Sequence, residues 1–472
     1  MAAETLALNA GAPLDRRFFG HPLGLGYLAF AEAWERFSYY GMQSLLVLYM
    51  GQQLLLPGHV EHVAGFAAFR AGIEHAYGHL SPIALASAIF GLYAGFVYLT
   101  PLAGGFIADR ILGRTATVTI GAILMAIGHF LMAFEQSFLV ALSCLLVGVG
   151  CFKGNIASQV GELYAPGDLR RADAFQIYLL GVNIAVIISP LVCGTLGQKV
   201  AWHWGFGAAG VGMLIGLAVY LSGRRWLPAD TARVRADSAA PKRRRLAPGE
   251  GVTVLVLIAL LPVLAAAALG NQEIFNAYLT WGDKHLALKF FGQTMPVTWL
   301  ISLDAIISST TIVLTVAFWR WWATFRTEPN EITKLWIGAL IAAAAPAFLG
   351  IGALHEAVTG QKTGLGWALA FHVVNDIGYS NIFPVGLALF TRAAPRAIGG
   401  LMIGVYYLHL FVANMAVGWL GGLLEKMPAA SFWFLHAGIV TGGAVVMLAF
   451  SLAFGHHLAP TVDPEAVGGL DP

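Results

Sequence analysis

Glu32-Ala33-Trp34-Glu35-Arg36-Phe37-Ser38-Tyr39-Tyr40-Gly41 lies in the middle of an apolar run from about Leu23 to Met50. A run of that length can cross a bilayer as a helix, which takes ~20 apolar residues. Two carboxylates and a guanidinium at its centre are costly, by at least ~2.5 kcal/mol each on the mildest scale. Residues three, four and seven apart share a helix face. Glu32, Glu35, Arg36, Tyr39, Tyr40 and Gln43 therefore form one polar, aromatic stripe opposite Leu, Phe and Ala. Such a stripe must look into a water-filled cavity or the protein interior. A buried ion pair that merely locks two helices together is the plainer alternative. Charges at membrane depth are functional by default, and the stripe is read as a site.

The rest of the chain fits a membrane protein. Of its 472 residues, 58% are hydrophobic and only 11% charged, against about 25% charged in soluble proteins. The apolar runs are long and do not alternate, so the expected class is all-α rather than a barrel. A net charge of +2 leaves no nucleic-acid footprint. Cys144, Cys151 and Cys193 all fall in predicted spans and form neither a disulfide framework nor a metal-ligand spacing. No cofactor is expected. An intramembrane enzyme is rejected, because no metal set or Ser/His/Asp arrangement is visible. The N-terminal stretch is short and polar, carries Arg16 and Arg17, and has no cleavable signal pattern, so the first span is expected to insert uncleaved.

Hydropathy predicts spans near 23–51, 80–108, 115–134, 138–161, 173–197 and 204–222, then near 252–282, 293–322, 333–354, 365–391, 397–423 and 431–455. Between the sets lies the chain's most polar stretch, 223–251. It holds Arg224, Arg225, Arg233, Arg235 and Lys242-Arg243-Arg244-Arg245 among three prolines, and is read as a solvated linker. The predicted organisation is a tail at 1–22, a six-helix bundle at 23–222, the linker, a second six-helix bundle at 252–455 and a tail at 456–472. Six spans on each side of a basic linker suggest two similar halves around a central site. With both termini cytoplasmic, nineteen Lys and Arg lie on the cytoplasmic side. The outer loops carry only Arg70, Lys199, Lys284, Lys289, Lys362 and Lys426. The positive-inside rule therefore sets the orientation. The loop at 52–79 is the longest on the outer side, and no site is read in it.

Further polar residues sit in or beside the predicted spans. Gly104-Gly105-Phe-Ile-Ala-Asp109-Arg110-Ile-Leu-Gly113-Arg114 ends the second span. Its glycines allow close helix approach, and its Asp–Arg cluster can clamp a cytoplasmic loop in one state and release it in another. This motif resembles the loop motif of the major facilitator superfamily. Lys153, in Gly148-Val-Gly-Cys-Phe-Lys153-Gly-Asn155, needs a partner; by depth these are Glu32 and Glu35, and snorkelling toward an interface is the alternative. Tyr178 and Asn183 lie in the fifth span. The second half carries Glu273, Asp304 and a His372/Asn375/Asp376/Tyr379 group. His372, Asp376 and Tyr379 share a face. His372 beside Asp376 is either a proton relay or a helix-packing hydrogen bond.

Together these residues resemble the proton-coupled oligopeptide transporter family of the major facilitator superfamily. Glu-x-x-Glu-Arg-Phe-x-Tyr-Tyr-Gly matches completely at Glu32 through Gly41. Supporting matches are Phe96-Val-Tyr98-Leu-Thr-Pro101, the Gly-x-Gly-x-x-Lys run at Lys153, Gly181-Val-Asn183-Ile, Trp202-His203-Trp204-Gly205-Phe206 and Pro384-Val-Gly-Leu387. The similarity runs from roughly Leu23 to Leu424 and is stronger in the first half. It implies the major facilitator fold and proton-driven import of di- and tripeptides across the inner membrane by a functional monomer. It also implies roles. Glu32, Glu35 and Lys153 would share the transported proton, and Arg36 and Lys153 would meet the peptide carboxylate. Tyr39, Tyr40 and Tyr98 would line the pocket, and Asn183 would bind peptide backbone or the amino terminus. Glu273 would titrate and gate against Arg36.

Four positions depart from the family pattern. Gln43 stands where a second Arg or Lys is common, Tyr379 where the tenth-span acid receives the peptide amino group, Asp304 where the eighth span has Asn, and Tyr406 where the eleventh span has Trp. Proton coupling then looks intact and the substrate pocket altered. The amino-group receptor is expected to have moved to Asp304, which is favoured, or to Asp376. The other readings are export of a drug or amine by proton antiport, another non-peptide solute, and a nutrient sensor that keeps the pocket without transporting.

Overall fold

The computed structural model describes residues 15–165, 167–229, 249–290, 292–395 and 398–458. The tails beyond, Arg396, and the linker cations Arg233, Arg235, Lys242, Arg243, Arg244 and Arg245 lie outside the described residues.

The helices follow the hydropathy. α1 is Leu23–Tyr49, α2 Phe66–Tyr77, α3 Pro82–Ile107, α4 Arg114–Leu131 and α5 Phe138–Glu162. α6 is Arg170–Thr195, α7 Trp202–Ser222, α8 Glu250–Glu273, α9 Ala277–His285 and α10 Trp299–Trp322. α11 is Glu331–Thr359, α12 Leu365–Ala393, α13 Gly399–Leu420 and α14 Ala429–Phe454. Among the described residues, eleven helical stretches are long and apolar enough to cross a membrane, with α8 and α9 counted as one. α1 has the length as well, 27 residues, with Glu32, Glu35 and Arg36 at its centre. Side chains that point outward are apolar: Leu255 and Val313 are each 67% exposed and Leu452 is 80% exposed. In water these would be liabilities; against lipid they match their surroundings.

The chain forms two compact units. The first comprises Met1–Met42 and Thr100–Ala239, the second Gln43–Leu99 and Ala240–Pro472. The division falls within α1 and within α3, so the segment Gln43–Leu99 groups with the second half of the sequence. In the first unit α4 packs on α5 and α7; in the second, α11 packs on α12 and α14, and α8 on α13 and α14. Lipid offers no hydrophobic drive for helices to associate, so close van der Waals packing must hold them, and small residues permit it. A Cβ on Gly104 would stand 1.9 Å from the Gly150 carbonyl oxygen, so α3 and α5 cross backbone against backbone. At Gly378 a Cβ would stand 2.6 Å from the Gly338 oxygen, which gives the same contact between α12 and α11.

Three local features were not anticipated from the sequence. The outer loop at 52–79 contains the helix α2. The expected span at 252–282 breaks at Ile274–Asn276 into α8 and α9. The span expected from 293 starts at Trp299, because β1 (Lys289–Phe290) and β2 (Gln293–Thr294) first pair as a short antiparallel hairpin.

Candidate functional site

In the first unit the stripe of α1 is buried. Glu32 and Arg36 are each 4% exposed and Glu35 is 0% exposed. Arg36 Nε lies 3.1 Å from Glu32 Oε1 and 2.5 Å from Glu35 Oε2. These are ion contacts without hydrogen-bond alignment: both Glu35 oxygens, Glu32 Oε2, and Arg36 Nε and Nη2 make no hydrogen bond within the protein. The Tyr178 side chain of α6 interacts with Glu32. Arg36 interacts with Tyr40 and lies 5.3 Å from the centre of the Tyr39 ring. Lys153 of α5 interacts electrostatically with Arg36, Glu35 and Glu32, which brings together the two acids and the lysine that depth alone had paired. Two acids and two bases thus share one buried cluster. Such a cluster leaves hydrogen-bonding capacity for a ligand or a proton. Asn183, on α6, is exposed and has no polar partner among the described residues.

Past the end of α3, Arg114 pairs with Asp109 at 3.3 Å and also with Glu162, the last residue of α5. Arg110 is exposed. Glu162 carries no sequence signal of its own; it is found by the fold.

In the second unit Glu273, 0% exposed, ends α8. Its Oε1 lies 3.0 Å from His436 Nε2 on α14, and its Oε2 accepts the Ala277 N–H at 3.1 Å. His436 was not singled out from the sequence. Its signal there was a lone imidazole in an apolar span, which is more often a packing residue.

His372 is bonded to Asp304 of α10, Nδ1 to Oδ1 at 2.8 Å, and to the Tyr278 hydroxyl of α9, at 2.8 Å to Nε2. The pairing with Asp376, read from the spacing as either a relay or a packing bond, is therefore corrected: the two residues share a helix face, but the His372 ring turns to the neighbouring helices. Asp376 accepts from Asn375 at 3.2 Å, and its buried Oδ2 makes no hydrogen bond within the protein. Asp304 and Asp376 are close enough to interact electrostatically. Tyr406 is buried and donates to the Phe383 carbonyl at 2.6 Å; Tyr379 stacks on Phe383 with ring centres 5.7 Å apart, and Tyr98 on Tyr407 at 6.5 Å. Gln43 is buried, and its Oε1 makes no hydrogen bond within the protein. Among the described residues no cluster of His, Cys, Asp or Glu is arranged to hold a metal ion.

These features define a polytopic membrane transporter of the major facilitator fold. A family model described as the POT family matches residues 115–235. Peptide transporter YePEPT of Yersinia enterocolitica subsp. palearctica serotype O:3 is 31% identical, over 88% of this chain and 90% of that protein. A Di-/tripeptide transporter of Lactococcus lactis subsp. cremoris is 28% identical, over 84% and 88%. A crystal structure of peptide transporter POT in complex with sulfate superposes with a TM-score of 0.79 at 25% identity, over 95% of this chain and 98% of that one. This chain belongs to the POT family of transporters, and it is an integral membrane protein.

Proposed function

We propose that the protein is a proton-coupled symporter that imports small peptides or peptide-like solutes by alternating access, through a pocket altered at its amino-group end. The observation that carries this reading is the buried cluster of Glu32, Glu35, Arg36 and Lys153. With both acids ionised, two negative charges balance two positive ones. One bound proton leaves an excess positive charge at membrane depth, which is expensive. A substrate carboxylate restores the balance. Proton and anion are thus each poorly held alone and well held together, which is the thermodynamic requirement for symport. Arg36 and Lys153 would meet that carboxylate; the further substrate-binding residues of this reading are Tyr39, Tyr40 and Asn183 of the first unit and Gln43, Tyr98, Tyr379 and Tyr406 of the second.

The relatives named as peptide transporters support a peptide substrate. At the amino-group end Tyr379 cannot neutralise an ammonium, since a phenol is uncharged below a pKa of ~10. Asp304, or in its place Asp376, supplies the missing charge in this reading, and Asp304 is favoured. The same carboxylates favour a second reading, in which the solute is cationic and lacks a carboxylate. The Asp109/Arg110/Arg114 cluster acts as a cytoplasmic clamp, and Glu273 as the titrating group of the second half. The protein works as a monomer in the inner membrane, both termini cytoplasmic, on the proton gradient and without a cofactor.

The test is transport into proteoliposomes. Di- and tripeptides should accumulate under an inward proton gradient and drive proton uptake. Proton release driven by amines, with no response to peptides, would overturn the symport reading in favour of the second.

A further inference from the structure

The hydrogen-bond valence at His436 leads beyond the roles assigned so far. His436 Nδ1 lies 2.9 Å from the Phe432 carbonyl oxygen, four residues back on α14. A carbonyl oxygen can only accept, so Nδ1 carries a proton. In a neutral imidazole Nε2 is then a bare lone pair. Yet Nε2 stands 3.0 Å from Glu273 Oε1, and an ionised carboxylate is also acceptor-only. Two lone pairs facing each other at that distance with no water around them repel. The contact is bonding only if a proton lies between them. Either Glu273 Oε1–H donates to Nε2, or Nε2–H of an imidazolium donates to a carboxylate. Both forms contain the same number of protons, one more than a separate carboxylate and neutral imidazole.

We propose that Glu273 and His436 hold one proton between them, and that this pair, rather than Glu273 alone, is the proton-carrying group of the second unit. The transport part rests on the symport reading; the shared proton does not.

The pair is isolated. Both side chains are 0% exposed. The second oxygen of Glu273 takes the Ala277 N–H, which can be donated to either form of the carboxyl group. Phe432 and Trp433 lie against the imidazole, with ring centres 4.4 and 5.8 Å away. Several titratable groups on the elements packed around α8 and α14 are bonded elsewhere; Lys334 of α11 pairs with Glu328, and Glu331 of α11 with Arg392 of α12. His285 bonds to Glu356, His372 to Asp304 and Tyr278, Asp376 to Asn375, and His409 to the Tyr406 carbonyl. None of these bonds reaches Glu273 or His436. The proton between Oε1 and Nε2 is what makes this contact attractive. The contrast with His372 is instructive. There Nδ1–H donates to Asp304 and Nε2 accepts from the Tyr278 hydroxyl, and a neutral imidazole suffices with no additional proton.

The mechanism keeps its proton count. While the pair is closed, one proton sits on the Oε1–Nε2 line. A rearrangement that separates α8 from α14 leaves either a neutral carboxylic acid with a neutral imidazole, or a carboxylate with an imidazolium. In both cases the proton is then open to water and can leave, and a proton must be taken up again before the pair can close.

Two measurements test this. Nitrogen-15 NMR of the full-length protein labelled at histidine, with His436 assigned by its loss in His436→Gln, reports the protonation of each ring nitrogen. The expected result at neutral pH is a protonated Nδ1 and an Nε2 in a strong hydrogen bond, whose signal moves in Glu273→Gln. A neutral ring protonated on Nε2 with a bare Nδ1 would overturn the proposal. In proteoliposomes, each coupled proton multiplies the accumulation ratio about tenfold per unit of pH gradient, by the ~1.4 kcal/mol that one unit represents. His436→Gln should lower that ratio about tenfold while counterflow, which needs no gradient, continues and so shows a folded carrier. Wild-type accumulation in His436→Gln would overturn the carrier role. A wild type that shows the shared proton but no proton-driven accumulation would instead refute the symport reading and leave the pair standing.

Discussion

His372 and Asp304 are joined at 2.8 Å, and through the Tyr278 hydroxyl on the far side of the ring the imidazole links α9, α10 and α12. The Asp304 side chain remains 13% accessible, while Asp376 is 1% exposed. Of the two carboxylates, Asp304 is therefore the one that a ligand ammonium would meet in the proposed reading. Asp304→Asn should abolish any preference for peptides with a free over an acetylated amino end, whereas Asp376→Asn should weaken both without removing the preference. The loss of a hydrogen-bonded charge pair is worth roughly 2–5 kcal/mol in binding. Thermal-shift binding of matched peptides measures it. A wild type indifferent to acetylation would rule out an amino-group receptor and favour a non-peptide solute.

Lys153→Ala leaves the Glu32, Glu35 and Arg36 cluster with one positive charge against two negative ones. A proton should then bind whether or not substrate is present, which uncouples the two. Gradient-driven accumulation is expected to vanish and counterflow to survive better. Retention of wild-type accumulation in that variant would show that the lysine is not part of the coupling unit.

The crossing of α3 and α5 predicts a steric limit. A Cβ at Gly104 meets the Gly150 oxygen at 1.9 Å, while one at Gly105 meets nothing within 4 Å. Gly104→Val should lower stability by ~1–3 kcal/mol or more through overpacking against backbone. Gly105→Ala should be close to neutral. Thermal unfolding in detergent, run on both, separates the contact from a general glycine effect.

The loop before α6 should respond to acid. Arg170 donates to Asp168 at 2.7 Å through Nη2 and at 3.1 Å through Nε, and this holds the Asp168 carboxyl below its usual range. Asp15 is held low in the same way by Arg17. Because the folded pKa is depressed, the stabilisation is complete above the unfolded value of ~3.9 and disappears as pH falls through the lower folded value. Asp168→Asn should therefore lower the melting temperature at pH 7, with the difference unchanged to about pH 5 and closing toward pH 3. A difference that widened in acid would contradict the pairing.

Much of this was legible in the sequence because bilayer physics is restrictive. Long apolar runs had few alternatives to spanning helices, and the charges of Glu32, Glu35, Arg36 and Lys153 stood out against them. The partners were harder to read. His436, Tyr278 and Glu162 meet Glu273, His372 and Arg114 across helix packing, at separations of 163, 94 and 48 residues. Helical spacing cannot supply such pairs. The same limit explains Asp376: spacing placed it on the face of His372, while the ring rotated toward α10. The break at Ile274–Asn276 was invisible for another reason. No Pro or Gly marks it; Asn276 holds its place by donating to the Val417 carbonyl at 3.2 Å.

That break ties the chemistry of one side chain to the path of the backbone. Where α8 stops and α9 begins, the Ala277 amide has Glu273 Oε2 as its acceptor. An amide left without an acceptor at membrane depth costs several kcal/mol. The carboxyl oxygen is therefore a structural plug as well as an acid. Glutamine can replace it as a plug, alanine or leucine cannot. The interruption and the acceptor must then be gained or lost together. A homologous chain with an aliphatic residue at the position of Glu273 should carry one unbroken helix through this point, and a transporter engineered to have that helix would lose its second proton site without any change to the charges around it.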